Sequence, residues 1–311
     1  MQHLRTARLT SIRGGLLLAL LAILPLTACV SSSPAQREAA AKRAVLPIHV
    51  EEISEQVDGK PIRGWAAKVD LRDPRVEIRV TGPIAARPDD PPGSEAHTET
   101  TPAWLDQEGL VLAVNTHFFR RLDDPKQKVP DDFPVDLDGP CISDGRTISG
   151  ERDDGKPAPT LAITRQRQAR IGMLVMSDLA GMDDAVCGIS ASGTQDGGLL
   201  VEDGRNVGAT ALPRPQERHP RTAAGLTPDR HTLILVVVDG RQPDWSFGLT
   251  LPELGNLMLR LGADEAINLD GGGSSSFVFA PPDGPRITNR PSDGHWRPVG
   301  ASMGVQITAP R

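Results

Sequence analysis

Apolar and polar residues alternate with a period of two over short stretches in the first third of the chain. "GWAAKVDL" (64–71) and "RVEIRVTG" (75–82) are of this kind, broken by Gly and Pro, and predict strands. "ARPDDPPGSEAHTE" (86–99) reads as a surface loop, followed by a short helix over "TPAWLDQEG" and a buried strand over "LVLAVN" (110–115). Residues 120–159 are rich in Asp, Pro and Gly with little periodicity, and are expected to be loop-dominated. Two hairpins follow, "TLAITRQRQARIGML" and "GLLVEDGRNVG", the second turning on Asp203-Gly204.

The C-terminal third is the most regular. "HTLILVVVDG" predicts a buried strand ending at Asp239, and "EAINLD" another ending at Asp270. Between them Thr250 and Glu253 form a capping box for a helix over 251–261. Its apolar stripe is Leu251, Leu254, Leu257, Met258 and Leu261, and Gly262 ends it. The pattern therefore predicts an α+β fold, a mixed β-sheet core with a few flanking helices and long loops, and a strand–helix–strand unit in the last third. Parallel neighbouring strands in that unit would open both acids into one crevice, where open sheets bind ligands.

The N-terminus changes the picture from a plain globular chain. Arg5, Arg8 and Arg13 precede the apolar run "LLLALLAIL" (16–24), and small residues lead to Cys29. A basic start, a short apolar centre and a small-residue end describe a secretion signal over 1–28. The run is about half the ~20 residues needed to span a bilayer. "LTAC" resembles the lipobox of bacterial lipoproteins, which implies lipidation of Cys29, a flexible tether over 29–45, and one domain over 46–308 anchored in the cell envelope and facing the periplasm or exterior. Removing 1–28 removes three Arg and no acid, so the net charge moves from −6 to −9. An acidic chain without a basic run excludes an electrostatic footprint for nucleic acid. In an exported protein the remaining thiols, Cys141 and Cys187, are expected to pair.

Chemistry concentrates in "NLDGGGSSSFVF" (268–279). Asp270 ends an apolar strand, Gly271, Gly272 and Gly273 let a ligand touch the backbone, and Ser274 adds a hydroxyl at the edge. "HPRTAAG" places Arg221 and Thr222 before the strand leading to Asp239. "VDGRQ" adds Arg241, and "NRPSDGHWRPVG" adds Asn289 and Arg297. Planar guanidiniums beside strand ends and glycine loops suit bidentate phosphate binding.

These motifs, "NLDGGGSSSFV", "PRTAAG", "VDGR" and "PSDGHWRP", together with "AVNTHFF" (113–119), resemble the phosphodiester glycosidases, over roughly 110–308. The resemblance implies hydrolysis of the bond between a sugar's anomeric carbon and a phosphodiester. It also implies a site built from Asp270, Asp239 and Arg221, with Asn115, His117, Thr222, Arg241, Asn268, the three glycines, Ser274, Asn289 and Arg297 at the substrate. Thr116 and His117 depart from the small residue and Gly expected after Asn115, so the sugar pocket is narrowed or gains an imidazole.

The chemistry holds without the family. Cleaving C–O at an anomeric carbon passes through an oxocarbenium-like state and normally takes two carboxyl groups. A phosphate ester leaves without strong acid assistance, so one carboxylate and a set of anion donors suffice. Two other readings share these residues: a phosphodiesterase cleaving P–O, and a non-catalytic binder of sugar phosphates or polysaccharide. No cofactor is expected. Most phosphodiesterases use metals, and no HExxH or paired-Cys set occurs. The acidic segments "RLDDP" and "VPDDFPVDLDG" leave Ca²⁺ as the one cation to consider.

Overall fold

Strand by strand, the alternating segments become sheets. A computed structural model describes residues 46–84, 87–123, 129–150, 155–188, 199–209 and 215–309. The signal peptide, Cys29 and the tether lie outside the described residues. From the N-terminus run β1 (Ile48–Val57), β2 (Lys60–Asp70), β3 (Val76–Val80) and β4 (Ala96–His97), then α1 (Thr101–Glu108). Next come β5 (Leu112–Asn115), β6 (Phe119–Arg121), β7 (Pro134–Leu137), β8 (Cys141–Ser143), β9 (Arg146–Ser149), β10 (Ala158–Ile163), β11 (Ala169–Leu174), β12 (Asp184–Cys187), β13 (Leu199–Glu202) and β14 (Arg205–Asn206). The C-terminal unit is β15 (Arg221–Leu226), β16 (Thr232–Val238), α2 (Leu251–Leu261) and β17 (Glu265–Asn268). β18 (Phe277–Phe279), β19 (Ile287–Thr288) and β20 (Ser302–Ile307) close the chain.

The sheet that positions the acids has seven strands in the order β1-β2-β16-β15-β17-β13-β14. Two five-stranded sheets, β11-β10-β12-β8-β9 and β19-β18-β5-β20-β3, pack with it, and β4-β7-β6 forms a small fourth sheet. The main core joins one face of the seven-stranded sheet (Ala67, Val69, Ala224, Leu235, Ile267) to Leu112, Val114, Leu161, Ile163 and Phe277 of the others. Helix α2 covers the other face. Leu251, Leu254, Leu257 and Met258 pack on Ile62, Ala223, Ile234, Val236 and Ala266. Both ends of α2 are capped as expected: Thr250 and Glu253 make reciprocal bonds, and Gly262 takes the left-handed conformation. The 203–204 turn has φ of 48° and 67°, which lets the two-residue β13–β14 hairpin match the strand twist.

Three expectations are corrected. First, every ladder among the described residues is antiparallel, so the sheets are not mixed. β16 and β17 are not neighbours, because β15 is inserted between them and runs antiparallel to both. Second, residues 120–159 contain the end of β6, all of β7, β8 and β9, and the start of β10. These strands are only three to six residues long, too short to show a period among so many turn residues. Third, Cys141 and Cys187 are both buried and are not joined in a disulfide. β8 and β12 pair with Ala185 opposite Ile142. Continuing that register sets Cys141 opposite Val186 and Cys187 opposite Pro140, so the thiols stand on opposite faces of the sheet. Proximity without aligned Cβ vectors makes no bridge. Burial also pushes the Cys141 thiol far above its usual range, which removes the thiolate needed for oxidation. Alkylation of the unreduced chain in denaturant, followed by peptide mapping, is expected to label both Cys141 and Cys187; a linked 141–187 peptide would reverse the correction.

Candidate active site

Because β15 runs against both neighbours, its start lies beside their ends. Arg221 lies opposite Val238 in the ladder, and Ala223 lies opposite Asn268. Arg221, Asp239 and Asp270 therefore converge on one sheet edge. The backbone after β17 is pinned there from two sides. Asp270 N–H donates to the Thr116 carbonyl (2.7 Å), and the Asp270 carbonyl accepts from Asn115 Nδ2 (2.6 Å). Asn115 Oδ1 in turn accepts from the Thr222 hydroxyl (2.7 Å) and from Ser276 N–H (2.9 Å). Asn289 does the same for the next turn, accepting Phe277 N–H and donating to the Ser275 carbonyl and to Asp239.

The glycine loop serves a purpose that the sequence does not spell out. The Gly271 and Gly272 amides are already committed, to Asp270 Oδ1 (2.9 Å) and the Pro220 carbonyl (2.9 Å). What the loop supplies is a bare surface for two guanidiniums. A Cβ on Gly272, whose φ is +64°, would come within 3.1 Å of the Arg241 Nη atoms; one on Gly273 would lie 2.0 Å from Arg297 Nη2. Arg297 is ion-paired with Asp293 (2.6 Å). Arg241 is not: among the described residues no carboxylate lies within the 4.0 Å of an ion pair, and the same holds for buried Arg221. Arg221 spends two donors on the Leu249 and Glu217 carbonyls. Burial, with the Arg241 charge second, brings its pKa down to about 10, so it stays a cation at neutral pH.

The two acids differ in what their oxygens do. Asp270 has one bond from its neighbour's amide, with the Ser274 hydroxyl and the Arg297 and Arg241 charges nearby. Burial outweighs these and raises its pKa to about 6. Asp239 is saturated: Oδ1 accepts from Asn289 Nδ2 (2.9 Å) and Arg290 N–H (3.0 Å), and Oδ2 from Trp245 Nε1 (2.8 Å). Its pKa is nonetheless raised by burial.

Sequence reasoning passed over His219. Its Nδ1 sits 3.3 Å from Arg241 Nη2 and its Nε2 3.2 Å from Glu217 Oε2, so the tautomer with Nε2–H orients Arg241 from behind. Burial, then Arg221 and Arg241, lowers its pKa and keeps it neutral. Only its adjacency to "PRTAAG" could have pointed to it. His117, by contrast, is turned away into the scaffold. Nε2 lies 3.0 Å from both the Pro140 carbonyl and Cys187 N–H, Nδ1 lies 3.1 Å from the Thr116 hydroxyl, and burial holds the ring at about 4. Asn268 Oδ1 and Nδ2 and Ser275 Oγ are buried with no partner. Solvent or ligand must complete their hydrogen bonding. Among the described residues no three His, Cys, Asp or Glu side chains gather as metal ligands. Of the described acids in those two segments, Asp123 is paired with Arg121, Asp132 with Arg87 and Asp136 with Arg120.

A family model for phosphodiester glycosidases matches residues 108–306, well over half of the chain. The chain belongs to that family. No curated protein matches this family member. Among solved structures it is similar to a hypothetical protein from Synechocystis, with a TM-score of 0.60 and 15% identity over 84% of this chain. The chain spans 62% of the length of that protein. It is also similar to the catalytic domain of zebrafish N-acetylglucosamine-1-phosphodiester alpha-N-acetylglucosaminidase, auto-inhibited by its pro-peptide. There the TM-score is 0.57 and the identity 21%, covering 84% of this chain and 82% of that one. At these identities the likeness establishes a common fold. The phosphodiester glycosidase domain thus contains the sheet edge, the glycine loop and the arginines together.

Two stability effects of opposite sign follow. Asp270 has a folded pKa of about 6 against an ordinary 3.8, so its ionisation opposes folding, and stability is lost as pH rises from about 4 through 6. Asp270→Asn is expected to raise unfolding stability by roughly 3 kcal/mol at pH 8 and by little at pH 4. Gly273→Ala is expected to lower it by about 1–3 kcal/mol through overpacking against Arg297. Urea unfolding at the two pH values checks both.

Proposed function

We propose that this protein hydrolyses the glycosidic bond of a sugar-1-phosphodiester. The observation that carries the reading is one buried carboxylate, Asp270, near the cation Arg241, with Arg221 beside Arg241 in turn; neither arginine has an ion-paired carboxylate among the described residues. An uncompensated pair of guanidiniums favours a bound anion, and a phosphodiester supplies one. Asp270 then sits at the anomeric carbon, as nucleophile or as base for water. Arg241 and Arg221 take the negative charge that grows on the departing phosphate. No general acid of the usual glycosidase kind is needed, since a phosphate monoester leaves as a stable anion. His219 acts through Arg241, fixing the guanidinium over Gly272. Asp239 is a positioning residue in this account, because its lone pairs are taken. The reading needs no metal.

The same proposal extends to place. With 1–28 as an export signal and Cys29 as a lipidated residue, the domain works in the bacterial cell envelope, tethered by 29–45 and facing the periplasm or exterior. Its substrate is then a carbohydrate phosphodiester met outside the cytoplasm.

Hydrolysis of a sugar-1-phosphodiester in ¹⁸O water is expected to put the label on the sugar. Label on phosphate would establish P–O cleavage instead, and absence of turnover would leave a binding protein. Asp270→Asn is expected to lower kcat by at least about 10³ with the fold intact. Arg221→Lys keeps charge but loses the planar fork, so its loss should be larger on the phosphodiester than on an activated aryl glycoside lacking phosphate. The acid limb of kcat/KM is expected near pH 6, where Asp270 loses its proton.

A further inference from the structure

The saturated carboxylate of Asp239 holds something in place. Trp245 is pinned by its indole N–H, and Arg290 by its backbone N–H, 3.0 and 3.2 Å from the two oxygens. Gln242 Nε2 holds the Arg290 carbonyl from the other loop (3.1 Å). The root of the Arg290 side chain is therefore clamped, and its guanidinium lies over the Trp245 ring, 5.5 Å from the centroid, within the range of a cation–π contact. Arg63 also lies over that ring, at 5.3 Å, but is bonded to Glu52 and Ser54. Arg290 is exposed, and among the described residues no carboxylate comes within 4.0 Å of its guanidinium. Asp239 is felt only at longer range.

A surface arginine ordinarily wanders or pairs. This one is fixed at its base, laid on an aromatic face and left without a counter-charge, on a loop bonded to the loop that carries Arg241. Arg241 reaches Gly272 beside Asp270. We infer that Arg290 on Trp245 is a second anion subsite, and that the substrate carries a further phosphate on the leaving-group side of the scissile bond. The substrate class is then a chain of units linked by phosphodiesters, cleaved at a sugar anomeric carbon, rather than a lone sugar phosphate. The sugar lies at Asp270, the scissile phosphate at Arg241 and the next phosphate at Arg290. This inference rests on the proposed hydrolase reading for its reaction, though not for its binding.

Two sugar-1-phosphodiesters of the same sugar test it, one whose phosphate is esterified to glycerol and one whose phosphate is esterified to glycerol phosphate, so that the group released is a phosphate monoester in both. The wild-type protein is expected to prefer the second about tenfold in kcat/KM at low ionic strength, chiefly through KM, and the preference should shrink in ~0.5 M salt, where the Debye length falls to about 4 Å. In Arg290→Gln the preference should fall towards unity. Equal kcat/KM for the two compounds in the wild type overturns the subsite, as does a preference that survives Arg290→Gln. The wild-type ratio decides even if the variant does not fold. Calorimetric binding of both compounds to Asp270→Asn reads the subsite without turnover. A tenfold binding preference with no hydrolysis by the wild type would sink the hydrolase reading and keep the subsite, whereas hydrolysis with equal binding would do the reverse.

Discussion

One buried amide ties the site together. Asn115 accepts from Thr222 and Ser276 and donates to the Asp270 carbonyl, so a single side chain at the end of β5 joins β15 to both ends of the glycine loop. Each of those groups is buried, and leaving one unsatisfied costs on the order of 1–3 kcal/mol. The network explains why a strand from a different sheet must stop at this point. β5 brings Asn115 to the edge where β15 begins and β17 ends, and Thr116 then takes the Asp270 amide. Without that anchor the carboxylate has no fixed position from which to act.

Charge balance is the second constraint. The cleft holds Asp270, Arg221, Arg241, and an Arg297 already spoken for by Asp293. Burial weakens the charged form of both Asp270 and Arg221. On the proposed reading, an arriving phosphodiester would compensate the cations, and its departure as a monoester would raise the negative charge where they stand, so binding and catalysis would draw on the same imbalance. The glycines at 272 and 273 permit it, because guanidiniums can approach backbone more closely than they could any side chain.

Much of this was legible in the chain, for reasons that differ by element. The β16–α2–β17 unit was, because a seven-residue apolar strand and an eleven-residue capped helix each carry a strong local pattern. Asp239 and Asp270 were placed at strand ends for the same reason. Their relation was not, since inserting β15 between them is a non-local choice that no periodicity records. The different work of the two acids was hidden too. It depends on Trp245 and Asn289, which arrive from 6 and 50 residues away. The disulfide expectation failed because register decides which face a thiol occupies, and the β8–β12 register is invisible to spacing. His117 looked chemical in sequence and is structural in space, completing the end of the β8–β12 ladder.

The last strand has a bearing on when the site can exist. β20 lies between β3 and β5, with Ser302 paired to Asn115 itself and the Thr116 amide bonded to the Ala301 carbonyl. The residue that organises the site is thus held by a strand that lies far from it along the chain. Placement of Asp270 therefore waits on a pairing between segments distant in the chain, so the geometry of the site belongs to the assembled sheet and to no local segment.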